Sequence, residues 1–113
     1  MKRDKAYLKH ILDAISDTED FIRGIEIQEF FENKEKQYAV LRALEIVGEA
    51  TKNLSKELKA RHREVPWKEI SGIKDKLIHQ YFGVNLQLIW ETITNDLPKP
   101  EKQITEILNE SDK

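Results

Sequence analysis

Histidine, tyrosine and lysine fall close together in "IKDKLIHQYFGV", residues 73–84, where Lys74, His79 and Tyr81 stand on a short apolar segment next to a glycine. A histidine titrates near neutrality and can take or give a proton, a lysine can hold a phosphate oxygen, and a tyrosine can donate a hydrogen bond. On an ideal helix Lys74, Leu77, Ile78 and Tyr81 share one side, while Asp75, His79 and Phe82 share an adjoining one; Lys76 and Gln80 face water. Lys74 and His79 then stand about 140° apart. They converge on one small ligand only if the helix unwinds near His79, which Gly83 allows, or if a second subunit completes the site. Asp75, four residues before His79, has the spacing to hydrogen-bond the ring and favour its charged form. Taken on these residues alone, one histidine flanked by leucine, isoleucine and phenylalanine is more often packing than catalysis.

A second polar set lies upstream. Tyr38, Arg42, Glu45, Glu49 and Asn53 recur at helical spacing, so at about 100° per residue they form one narrow line on an otherwise apolar helix. Arg42 and Glu45 have the spacing of an intrahelical ion pair. Two readings stay open: a solvated strip, or a face turned towards a cleft or a partner subunit. The apolar character of the rest of the helix favours the second, since a line of charges among buried neighbours must be paired.

Other chemistries find little support. His10 and His62 read as solvent-facing, and with no cysteine and no shared histidine spacing a metal site is not expected. No glycine-rich loop, nucleophile elbow or distinct carboxylate dyad stands out, so no cofactor is implied. The 19 basic and 21 acidic side chains leave a net charge of −2, so any nucleic-acid contact rests on a local patch. No apolar run approaches the ~20 residues that span a bilayer, and the polar start MKRDKAYLKH is not a secretory signal. A cytoplasmic location and no membrane partner are the expectations.

The elements that must position these residues are helical almost throughout. Leu8, Ile11, Leu12, Ile15 and Ile22 mark an amphipathic helix ending near Gly24, and IEIQEFFEN a short helix or turn. The longest helix runs from about residue 36 to 60. Pro66 opens a further one, Ser71 caps the segment bearing His79, and Gly83 ends it. Asn85 caps a helix with Leu86, Ile89, Trp90 and Ile93 that stops before Pro98, and a last amphipathic turn or two carries Ile104, Ile107 and Leu108. The reading is an all-α bundle, one domain over residues 1–113, with two long antiparallel helices and shorter C-terminal ones.

The run "LIHQYFGVN" resembles the signature of the HEPN superfamily, specifically its HepT-like branch of minimal toxins. That motif is an arginine, four residues, a histidine, any residue and a tyrosine; here it reads Lys74, DKLI, His79, Gln80 and Tyr81. The blocks "RDKAYLKHILDAI", "LRALEIVGEATKNLSKEL", "VPWKEISGIKDKLIHQYFGV" and "LIWETITNDLP" follow the family in order, so the likeness covers nearly the whole chain. The resemblance implies a HEPN-like homodimer with the motif in a cleft at the subunit interface. It implies a metal-independent endoribonuclease acting on tRNA or mRNA, paired with a minimal nucleotidyltransferase antitoxin that adenylylates the motif tyrosine, Tyr81. His79 would then be acid or base with Asp75 orienting it, and Tyr81 a donor to phosphate. Lys74 stands where the family has arginine, keeping the charge but losing the bidentate fork; Arg42, in "RALEIVGEA" with Glu45, is the candidate substitute cation. The alternative is a non-catalytic subunit that presents nucleotide or substrate to the nucleotidyltransferase, which the lysine and the lack of net basic charge favour.

Overall fold

The computed structural model describes residues 2–78 and 85–111. In chain order the elements are α1 (Lys2–Ile22), α2 (Ile27–Glu32), α3 (Lys34–Lys52), α4 (Lys56–Arg61), α5 (Trp67–Ser71), α6 (Ile73–Ile78), α7 (Leu86–Glu91), a π-helical turn (Thr92–Asp96) and α8 (Pro98–Ser111). The described residues are all-α, as the spacing predicts, and α1 and α3 are the two long helices.

Leu8, Ile11 and Ile15 lie wholly inside, with Leu12 and Ile22 half-buried at the margin of the stripe. Gly24, at φ 79°, takes the left-handed conformation that ends α1 and turns the chain back. Two tethers fix the antiparallel pairing. Lys36 Nζ donates to the Phe21 carbonyl at 2.7 Å, joining the end of α1 to the start of α3. At the other end the buried Asp4 carboxylate accepts from the Ser55 N–H at 2.8 Å and from the Ser55 hydroxyl at 2.6 Å.

That second tether explains a departure from the expected single helix over 36–60. The chain breaks at Asn53–Ser55, because Ser55 adopts an extended backbone (φ −67°, ψ 153°) and its Oγ caps α4 by accepting from the Leu58 N–H. The carboxylate that holds Ser55 comes from the other end of the sequence, so local periodicity does not show it.

The C-terminal region is also more helical than expected. Asn85 Oδ1 caps α7 by accepting from the Leu88 N–H at 3.0 Å. The last element is a full helix of 14 residues instead of a turn or two. Pro98 and Pro100 fall in its first turn, where missing N–H groups cost nothing, so the proline that closes one helix opens the next. Ile104 and Ile107 of α8 are buried in the same core as Leu44 and Val47 of α3. Phe30 of α2, fully buried, packs on Trp90 of α7 with ring centroids 5.6 Å apart.

Candidate functional site

The polar line on α3 and the start of the motif meet in space, and a glycine is the reason. Gly48 lies in the C-terminal third of α3, where a Cβ would come within 3.3 Å of the Ser71 carbonyl oxygen. Without a side chain there, the backbone at the end of α5 settles directly on α3. The chain then turns at Gly72 and enters α6 at once. Ile73 and Leu77 of α6 are buried, which fixes the helix rotation and leaves Lys74, Asp75 and Lys76 at the surface. Ser71 does not cap α6 as expected: it is the last residue of α5, and its hydroxyl donates to the Lys68 carbonyl at 3.0 Å.

Lys74 Nζ lies 3.4 Å from Glu45 Oε2. Glu45 is therefore the partner of the motif cation, and the intrahelical Arg42–Glu45 pair suggested by spacing does not form. Arg42 is exposed and makes no hydrogen bond or ion pair with another described residue. Glu45 is half-buried, whereas Tyr38, Arg42, Glu49 and Asn53 are exposed; Tyr38 is 69% exposed, the one large hydrophobic residue so placed among the described residues. In one chain the line is thus an outer face, continuous with Lys74. Half in water, the Lys74–Glu45 contact adds little stability, on the order of 0–1 kcal/mol, so its interest is where it holds the cation.

His79, Tyr81 and Gly83 lie outside the described residues, as does the Asp75–His79 contact. Their flanks are described. The Asn85 N–H reaches the Leu77 carbonyl at 3.4 Å, so the residues on either side of 79–84 are tied to each other. His62 departs from the expected solvent-facing position. It is half-buried, with Nδ1 3.6 Å from Glu64 Oε2, and its carbonyl accepts from the Trp67 indole N–H at 2.9 Å.

Away from this face, burial together with a hydrogen bond to Glu19 and the charge of Glu19 pushes the Glu101 carboxyl up from 4.5 to about 7. A carboxyl whose pKa is higher folded than unfolded binds more protons when folded. Its contribution to stability is present below about pH 4.5 and is lost as pH rises to about 7. Glu101→Gln is expected to flatten that part of the profile, read as a smaller drop in urea midpoint between pH 5 and pH 8 than in the unaltered chain.

The comparisons with known proteins decide what this arrangement belongs to. The family model described as "Ribonuclease HepT-like" matches residues 11–107. The chain belongs to the HepT-like ribonuclease family. It is 49% identical over 108 residues to "Putative RNase TTE0752" of Caldanaerobacter subterraneus, covering 96% of each chain. To "Probable ribonuclease HepT" of Thermococcus cleftensis it is 48% identical over 99 residues, 87% of this chain and 90% of that one. To "Putative RNase MJ1216" of Methanocaldococcus jannaschii it is 42% identical over 110 residues, 96% of this chain and 91% of that one. No solved structure matches it significantly. The all-α bundle agrees with the HepT-like resemblance in the sequence. No helix among the described residues is long and apolar enough to cross a membrane.

Sequence reasoning named Glu45 but gave it the wrong partner, since spacing along one helix cannot report a contact between two. Gly48 carried a usable signal: a glycine inside an otherwise strong helix marks a close approach of backbone.

Proposed function

We propose that this HepT-like chain is the toxin of a toxin–antitoxin pair, a metal-independent endoribonuclease acting on tRNA or mRNA as a homodimer. What carries the reading is the ribonuclease family match over residues 11–107, a span that contains Lys74, His79 and Tyr81, the residues that the resemblance to the family motif singles out. Cleavage without a metal needs a base for the 2′-hydroxyl, an acid for the leaving oxygen and a cation for the phosphorane. His79 is the acid or base, oriented by Asp75, and in a dimer two copies divide the two roles. Lys74 is the cation, held in place by Glu45, with Arg42 on the same outer face as a second positive group. Tyr81 donates to a phosphate oxygen. A nucleotidyltransferase antitoxin neutralises the site by adenylylating Tyr81, which removes that donor and puts a negative charge where RNA phosphate must sit.

The 3.4 Å contact between Lys74 and Glu45 also favours a second reading. A cation already paired with a carboxylate suits a non-catalytic subunit that presents nucleotide or substrate to the nucleotidyltransferase. One experiment separates the two. Purified protein incubated with RNA and excess chelator is expected to cleave it, and co-expression with the nucleotidyltransferase is expected to add adenylyl mass to the tryptic peptide containing Tyr81 and stop cleavage. Intact RNA with unmodified protein would leave the non-catalytic reading standing. Equal adenylyl mass on a Tyr81→Phe protein refutes the modification site.

A further inference from the structure

The polar line on α3 is symmetric about its own middle. Arg42 and Glu49 are centred between Glu45 and Ile46, and so are Tyr38 and Asn53. The members of each pair are complementary, a guanidinium with a carboxylate and a phenol with an amide. Neither pair forms within the chain. Arg42 and Glu49 are both exposed, and their charged groups have no ion-pair partner among the described residues. The Asn53 Nδ2 donates to the Glu49 carbonyl at 3.0 Å, which leaves Oδ1 as the acceptor for a further donor.

A two-fold axis through the middle of the line sets a second α3 antiparallel to the first. Each residue then lies beside the one equally far on the other side of the axis. Arg42 meets the partner's Glu49, Glu49 meets the partner's Arg42, and the Tyr38 hydroxyl meets the Oδ1 of the partner's Asn53. A crossing of about 20° keeps two such helices in contact along their length. Glu45 falls next to the axis and close to its own copy, a repulsion that Lys74 Nζ offsets from 3.4 Å away. Ile46, half-buried beside the line, gives the centre apolar area. Every charge on the line then has an opposite neighbour: Lys74 for Glu45 inside each chain, and Arg42 for Glu49 between the two.

We propose that α3 is the contact between two copies of this chain, crossed antiparallel about Glu45 and Ile46 and held by two reciprocal Arg42–Glu49 pairs. The inference rests on the homodimer of the ribonuclease reading and assigns the face and the register that build it. The occupant is a second copy because the face is complementary to itself, the property that an isologous contact requires and a different partner does not. Tyrosine and arginine are also residue types enriched at protein contacts, and Tyr38 is 69% exposed in the single chain. The same register brings the Lys74–Glu45 pair of each chain to the axis.

Sedimentation equilibrium of the full chain reads the dimer, and circular dichroism checks that variants at these exposed positions stay folded. Arg42→Glu and Glu49→Arg are each expected to raise the dimer dissociation constant at least roughly 30-fold, because each sets two like-charged pairs across the contact. Mixed in equal amounts, the two variants are expected to dimerise with each other to within about threefold of the unaltered constant. Both contacts of that mixed dimer again join a carboxylate to a guanidinium, a rescue that no effect inside one chain produces. Single variants as dimeric as the unaltered chain would overturn the face, and a mixture that stays monomeric would overturn the register. Loss of nucleotidyltransferase binding with the dimer unchanged would give the face to that partner and overturn the proposal too. RNA cleavage in chelator, measured on the unaltered chain, keeps the readings apart. A dimer that cleaves RNA but ignores both substitutions sinks the interface alone. One that obeys the pairing but cleaves nothing sinks the ribonuclease reading alone, and a monomer that cleaves sinks the interface and the homodimer together.

Discussion

His79→Ala is expected to lower RNA cleavage by about 10²- to 10⁴-fold, the range in which a positioned general acid or base contributes. Alanine removes the imidazole, and nothing else in the motif titrates near neutrality to replace it. The fold should survive, because the buried anchors on either side of the segment, Ile73 and Leu77 before it and Ile89 after it, are untouched. Thermal melting within a few degrees of the unaltered chain, with cleavage lost in the presence of chelator, is the expected pair of results. Cleavage equal to that of the unaltered chain would mean a contaminating nuclease and would remove His79 from the mechanism. Lys74→Arg in the His79-intact chain refines the same test. Its fork can hold Glu45 and a phosphate oxygen together, so cleavage should rise several-fold. No change would show that Lys74 does not touch phosphate.

Local features of this fold are legible in the sequence, and contacts between distant elements are not. The fold class was legible because Leu8, Ile11 and Ile15 repeat at helical spacing, and that spacing is enforced by a single core. The Asn85 cap was legible for a similar reason: cap chemistry is local, spanning three residues. The break at Ser55 was not, because the carboxylate that stabilises it belongs to Asp4, 51 residues earlier. The partner of Lys74 was hidden for the same cause. Glu45 has a good local candidate in Arg42, and only the docking of α6 on α3 shows that a longer-range cation reaches it first. Polar contacts between elements are set by where the core places the backbones, and periodicity carries no record of that. Gly48 is the exception, a local anomaly whose explanation is a distant contact.

That contact makes Gly48 the position outside the motif where a substitution should harm the site most. In Gly48→Leu the new Cβ sits 3.3 Å from the Ser71 carbonyl oxygen and 3.7 Å from that of Ile70, and the rest of the side chain must go further into α5. Both neighbours are backbone, so the strain cannot be relieved by a rotamer change, and α5 has to move off α3. Overpacking of this kind costs about 1–3 kcal/mol, of which the better helix propensity of leucine returns somewhat under 1 kcal/mol. The protein is therefore expected to fold, with a lowered urea midpoint. Function should suffer more. Only Gly72 separates α5 from α6, so displacement of one carries Lys74 away from Glu45, and an error of about 1 Å in a positioned group can lower a rate about 10²-fold. Cleavage is expected to fall by roughly that factor. Gly48→Ala calibrates the effect, since its single methyl needs only a few tenths of an ångström of adjustment and gains helix propensity, leaving activity within a few-fold. A Gly48→Leu protein with an unchanged midpoint and full activity would show that the approach of α5 to α3 does not position Lys74.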